Sequence, residues 1–414
     1  MKPCKVTKCS ISVFAQLVHL LPKRVLENLA RSEKIKAREF SYSSQMYLLM
    51  LGQLVHAFSL NELTDISRIH ACELARVRGM TATHLNTFSN ANRTRNPKVA
   101  EQFYWKVRSY LESAAPSFAS GRKPGRLSRF RDRNIYAIDS TCIELYATCI
   151  DWAEFRKKKS AVKLHMQTNI ASMLPELVIL DRARPHDCSK MEDLCATMKA
   201  GDIVVADRGY QKFTCFQNLS NRGVFFVVRQ KSRAKYRTIK VRKTPEGIVS
   251  DTEIAPIIRK TMKKYTAPLR RVEAIVEIDG QKRNMVFLTN NLVWSARTIA
   301  DLYKSRWHVE LLFKELKQTL QLQSFYGSNS NAVGWQIWAA LTVHLLLRFM
   351  KFSSKWKGSF TRFAGIIRAA VWVKRDLLKL LRFYGMEPPE KTRKAGNDMP
   401  YLPGFEKSFI KAMG

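Results

Sequence analysis

Three carboxylates and the donors beside them could do chemistry in this sequence. Asp139 closes the apolar run Ile135–Asp139 (IYAID), Asp207 closes DIVVAD, and Glu310 lies in Ser295–Leu320, SARTIADLYKSRWHVELLFKELKQTL. Within that stretch Tyr303, Arg306, Glu310 and Lys317 fall at offsets of three, seven and fourteen, which puts a phenol, a guanidinium, a carboxylate and an ammonium on one helix face. A plainer account exists for each: Arg306–Glu310 is an i, i+4 pair worth a few tenths of a kcal/mol, and an aspartate after a strand is more often a cap or turn residue. Three carboxylates converging in a cationic chain, however, repel one another unless a cation lies between them. Oxygen ligands without a thiolate or histidine cluster select Mg²⁺, with Mn²⁺ as substitute. Two such ions would hold a scissile phosphate, one activating a water or 3′-hydroxyl and the other stabilising the leaving oxygen. Arg306, Lys317 and Tyr303 would donate to phosphate oxygens. The chemistry expected is phosphodiester cleavage and strand transfer.

The elements that must position these groups follow from periodicity. Ser295 is a plausible N-cap, no Gly or Pro follows it, and Ile299, Leu302, Val309, Leu312, Leu316 and Leu320 recur at helical spacing, which predicts one unbroken helix. IYAID, VKLHMQTNIAS and ELVILDRA read as strands, CSKMEDLCATMKA as a helix, Ile203–Ala206 as a buried strand, FTCFQNLSNR as a helix and GVFFVVR as a strand. This order predicts an α/β core with a mixed sheet, Asp139 and Asp207 lying where neighbouring strands leave it. From Gln230 to Asn291 the strand-like pieces YRTIKVRK, RRVEAIVEID and KRNMVFLTN, with Asp279-Gly280 as a hairpin signal, predict a β-rich insertion.

Upstream, residues 11 to 115 carry only helical patterns, with ATHLNTFSNANRTRNP as a polar, turn-rich connector. The expected layout is a helical N-terminal DNA-binding or accessory domain (1–119), a basic linker (120–133), the core in two parts (134–229 and 293–350) around the insertion (230–292), and a basic helical C-terminal region (351–414) in which Pro388-Pro389 marks the end of confident structure. The linker, SGRKPGRLSRFRDR, reads as a solvated loop or a phosphate-contacting arm.

Composition agrees with a polyanion partner. The 414 residues carry a formal charge of +37 spread along the whole chain, and 46% are hydrophobic, enough for a substantial core. Nucleic acid is favoured over an anionic membrane. The eight cysteines form no Cys-x-x-Cys and read as small buried thiols of a reducing cytosol. No signal peptide is expected, and the apolar runs Met46–Leu60 and Ala332–Met350 are interrupted by Gln53, His56, Gln336, Thr342 and His344, so buried helices are expected rather than membrane spans.

Tyr303-x-x-Arg306-x-x-x-Glu310-x-x-x-x-x-x-Lys317 resembles, at all four positions, the Tyr-Arg-Glu-Lys signature of bacterial insertion-sequence transposases of the family numbered four, in the Asp-Asp-Glu superfamily. IYAIDSTCIEL is similar to the block around that family's first aspartate, and VVADRGY to the block around its second. The long gap between Asp207 and Glu310 is also similar, since the family's β insertion lies there. The resemblance implies an RNase H-like catalytic core, cut-and-paste movement of a DNA element, often through a hairpin intermediate, and a homodimer acting on terminal inverted repeats and target DNA. It implies catalytic and metal-binding roles for Asp139, Asp207 and Glu310. Trp307 follows the signature arginine, where family members use aromatics on the unstacked end base; stacking on a flipped base is physically reasonable, and core packing is the alternative. Members take a further tryptophan from the insertion, and Trp294 is the one nearby.

Lys163 and His165 in VKLHMQ share one strand face beside Asp139, with packing the favoured role over a phosphate contact. Arg208 could pair with a carboxylate or touch DNA. Glu144 and Asp181 are rival carboxylates without motif context. Two other functions fit the same residues: an RNase H-like nuclease or junction resolvase that cleaves without strand transfer, and a catalytically inactive DNA-binding relative. The insertion and the signature spacing favour the transposase.

Overall fold

The computed structural model describes residues 8–386 except 34, 36, 122, 124, 146–153, 157–158, 183–185, 232–235, 279–280 and 323–324. The expected Asp279-Gly280 turn and Pro388-Pro389 lie outside the described residues.

A ten-stranded mixed sheet runs through the molecule. Its strands are β1 (Ile135–Leu145), β2 (Glu154–Arg156), β3 (Lys159–Asn169), β4 (Leu174–Arg182), β5 (Ile203–Ala206), β6 (Phe225–Arg229), β7 (Tyr236–Val241), β8 (Ile248–Pro256), β9 (Leu269–Ile278) and β10 (Gln281–Thr289). Their order is β2-β3-β1-β5-β6-β10-β9-β8-β7, with β4 also on β3. The central pairs β1–β5 and β5–β6 are parallel and the rest antiparallel. Alternation sorts the side chains onto two faces: Ile138, Val204, Ala206, Phe226 and Val228 on one, against helix α3 (Phe213–Asn221), and Ile135, Ala137, Val205 and Val227 on the other. That second face is covered by the helices that carry the signature residues.

The expected strand ending at Asp139 is longer than predicted. β1 continues to Leu145 along β3, whereas its parallel neighbour β5 stops at Ala206, opposite Ile138. Asp139 therefore lies where the neighbouring strand ends rather than where its own does, and Asp207 is the next residue on that neighbour.

Among the described residues the insertion holds four strands where the sequence pattern marks three, and they extend the core sheet through β6–β10 pairing. The additional strand, β8, carries Asp251 inward, buried against Arg270 of β9 through two 2.7 Å bonds. Acids within GIVSDTEIAP break the hydrophobic alternation that marks a strand in sequence. A short helix, Arg259–Met262, also lies in this region.

The N-terminal part is helical, including α1 (Tyr42–Val55) and α2 (Lys98–Ala114). The segment expected as a turn-rich connector contains a helix, Leu85–Thr94, because Phe88 and Ala91 bury one face and Asn92 accepts a 2.9 Å bond from Gln45. The predicted single helix from Ser295 is segmented: α4 (Ala296–Lys304), α5 (Trp307–Lys314), then a π-helical turn, Glu315–Thr319. Ser305 Oγ donates to Leu302 O at 2.6 Å, and the backbone bonds at Arg306, His308 and Val309 reach back three residues.

Helix α6 (Ser330–Ser353) is long and apolar enough to cross a membrane, yet it is mostly buried inside the protein, packed between α1 and α2. Gly334 allows that approach, since a Cβ there would lie 2.8 Å from Pro97 Cβ. Apolar side chains from before residue 119 and after residue 293 thus share one core. The basic linker is likewise tied down: Leu127 and Phe130 are buried, Phe130 meets Trp294 at 5.0 Å, and Arg126 reaches Asp301 at 3.2 Å.

Candidate active site

The parallel register places Asp139 and Asp207 side by side, and α4–α5 crosses the sheet above them. Tyr303, the penultimate residue of α4, is buried against Phe287 of β10 (ring centroids 4.6 Å) and donates its hydroxyl to Asp207 Oδ1 at 3.0 Å. Burial, helped by the Asp207 carboxylate, pushes this phenol up to about 12, so it remains a donor. Arg306 sits at the break between the helices. Its Nη1 donates to Asp139 Oδ2 at 2.6 Å and its Nη2 to Glu310 Oε1, one turn further on. The remaining nitrogen, Nε, is buried and has no partner among the described residues.

One phenol and one guanidinium, three residues apart, therefore touch all three predicted acids. Arg306 is engaged with carboxylates rather than open to phosphate. Burial pushes the Asp139 carboxyl up to about 6, against the pull of Arg306 and the Ser140 N–H, with Glu310 and Asp207 adding to the rise. The pocket holds more negative charge than its protein partners offset, and its donors are carboxylate oxygens, the set that suits a hard divalent cation. With Arg306 interposed, no three Asp, Glu, His or Cys side chains among the described residues stand close enough to hold a metal ion.

The other expected residues fall around this centre. Lys317, on the π-helical turn, donates to Cys142 O of β1 at 2.6 Å, and burial lowers its pKa. Trp307 is 51% exposed, which removes the core-packing alternative. Arg208 is exposed. Trp294 is packed between Phe130 and Phe225. Asp181 pairs with Lys190 at 3.0 Å and Glu144 is exposed. Lys163 bonds Asp187 at 2.7 Å, and His165 is fully buried with Nδ1 3.2 Å from Tyr210 Oη. Sequence reasoning missed Ser140, Asp187 and Arg229, whose Nη1 lies 3.9 Å from Asp207 Oδ1. Arg229 ends the strand after Asp207's own, a position that could have singled it out.

Residues 130–346 match the transposase DDE domain family. The chain belongs to the DDE transposase family. It is 30% identical over 250 residues to y4zB of Sinorhizobium fredii, which carries a transposase name, covering 59% of this chain and 68% of that one. It is 25% identical over 335 residues to a protein of Geobacillus stearothermophilus named as a transposase for insertion sequence element IS5377, covering 80% and 85%. The cryo-EM structure of a piggyBac transposase synaptic complex with hairpin DNA aligns over 96% of this chain and 86% of that one, at TM-score 0.44 and 11% identity, too distant to carry an argument. As a DDE transposase, the chain is a metal-dependent enzyme of DNA cleavage and transfer.

Proposed function

We propose that the chain moves an insertion sequence by cut-and-paste transposition, with Asp139, Asp207 and Glu310 as its catalytic and metal-holding acids in an RNase H-like core. The observation that carries this is the meeting of three acids from β1, the end of β5 and α5 around Arg306 and Tyr303. Asp139, Asp207 and Glu310 would hold Mg²⁺, or Mn²⁺ in its place, and a pair of such ions would supply activation of the attacking oxygen and charge stabilisation of the leaving one.

The protein's own groups do the rest. Loading the site requires Arg306 to give up one of its carboxylates, and the guanidinium N–H released from it can then donate to a phosphate oxygen. Tyr303 keeps Asp207 oriented. Lys317, which donates to Cys142 O, is an ammonium on the same helical stretch, and exposed Arg208 adds a cation beside Asp207. Trp307 offers an exposed ring on which an unstacked end base can lie. The partners are the element's terminal inverted repeats and target DNA, engaged by a homodimer, with the N-terminal helices (1–119) and the linker (120–133) contributing to binding.

The test is a labelled duplex spanning the junction between the gene's flanking repeat and host DNA. The unmodified chain should give nicks at the element end and joined products with Mg²⁺. Asp139→Asn, Asp207→Asn and Glu310→Gln should each abolish both while retaining binding. Nicks without joined product would mean a nuclease or resolvase, and unchanged cleavage by Glu310→Gln would refute the assignment.

A further inference from the structure

Asp187 opens a short 3₁₀ turn, Asp187–Lys190, and reaches into the space between the two aspartate-bearing strand segments. Its Oδ1 accepts from Ser140 Oγ at 2.8 Å and from Lys163 Nζ at 2.7 Å. Ser140 follows Asp139, and its N–H donates to Asp139 Oδ1 at 2.8 Å. That one residue therefore joins the two carboxylates, through its backbone on one side and its hydroxyl on the other.

The second oxygen faces the other strand end. A Cβ on Gly209, in the turn Arg208–Tyr210 that follows Asp207, would lie 3.1 Å from Asp187 Oδ2. Gly209 has no positive φ, so its backbone does not call for glycine. The space taken by Asp187 leaves a Cβ there only a tight fit. Tyr210, next in the same turn, is fully buried with its hydroxyl 3.2 Å from His165 Nδ1, and His165 Nδ1 is 3.8 Å from Asp187 Oδ1.

We propose that Asp187 is a positioning residue of the active centre, a strut that sets the segment carrying Asp139 and the turn after Asp207 at a fixed separation. Lys163 is its built-in counter-charge: the pair adds rigidity beside three acids without adding net negative charge. With Oδ1 engaged by Ser140 and Lys163, Asp187 acts through its neighbours. The inference rests on Asp139 and Asp207 being the working acids, and outer partners of such groups typically matter about 10- to 100-fold for metal affinity or rate.

The experiment uses the full chain and four readouts: end nicking with Mg²⁺, Ca²⁺ binding by calorimetry, end binding without divalent ion, and melting temperature. Asp187→Asn should weaken Ca²⁺ binding and slow nicking, each by roughly 10- to 100-fold, with end binding and melting temperature kept. Gly209→Ala should do the same in the native background but add little on top of Asp187→Ser, because the clash partner is gone. Native Ca²⁺ affinity and nicking in Asp187→Asn, or losses that simply multiply in the Gly209/Asp187 pair, would overturn the proposal. Should Asp187→Asn fail to fold, Lys163→Gln carries the same test, and native values there overturn it equally. Nicking that survives Glu310→Gln would point instead to a failure of the underlying acid assignment.

Discussion

Tyr303 and Arg306 are the residues on which the acids depend. Removing the hydroxyl in Tyr303→Phe leaves the ring on Phe287 but takes away the hydrogen bond to Asp207 Oδ1, leaving only Arg229 Nη1 at 3.9 Å among the described residues; nicking should fall about tenfold with end binding unchanged in gel-shift assays, and native nicking would show that the bond is incidental. His165 supplies a pH prediction. Burial pulls its imidazole down to about 4 from the ordinary 6.5, with Asp187 and Asp181 opposing the shift and Lys163 and Lys190 favouring it. The unfolded chain takes up a proton near pH 6.5 that the folded chain refuses until about 4, so this stability is complete above 6.5 and lost as pH falls towards 4. His165→Asn should flatten the decline of melting temperature across that window. It should not remove it, because His344, His56 and His19 are shifted the same way; superimposable profiles would refute the assignment. Glu310 was legible because three neighbours shared its helical spacing. Asp187 was not, because its partners Ser140, Lys163 and Gly209 come from three distant segments.

At the scale of elements, the segmented helix shows what periodicity reveals and what it hides. The apolar stripe gave the helical character of α4 and α5, but at the break Ser305 donates its hydroxyl to Leu302 O one turn back, which no apolar pattern records. The π-helical turn after α5 depends on Glu315, a buried acid that accepts from His344 Nε2 at 2.8 Å and from Arg348 Nη2 at 2.6 and 2.7 Å. Glu315→Ala strands both partners and should cost about 3 kcal/mol in urea unfolding; a loss below about 1 kcal/mol would show that the network is dispensable. Strand β8 escaped notice for a related reason: Asp251 and Arg270 satisfy each other inside the sheet, so a buried position carries a charge where a hydrophobe is expected.

For the whole molecule, a formal charge of +37 was readable at once and its partner class followed. Binding to any duplex should fall by at least about a thousandfold between 50 and 200 mM salt, as release of many counterions demands; a flat response in fluorescence titrations would mean that few of these cations meet phosphate. What composition could not convey is how the parts enclose one another. Helix α6 resembled a component of the catalytic half, yet its apolar surface is sheathed by α1 and α2 from the opposite end of the chain.

That enclosure bears on how copies of such a gene decay. A copy that has lost its first 114 codons would still encode Asp139, Asp207, Glu310 and the whole sheet, but its 24-residue apolar helix α6 would lack the two helices, α1 and α2, that cover it. Such a remnant should precipitate when expressed rather than persist as a small competing enzyme, and 5′ erosion would silence the element outright.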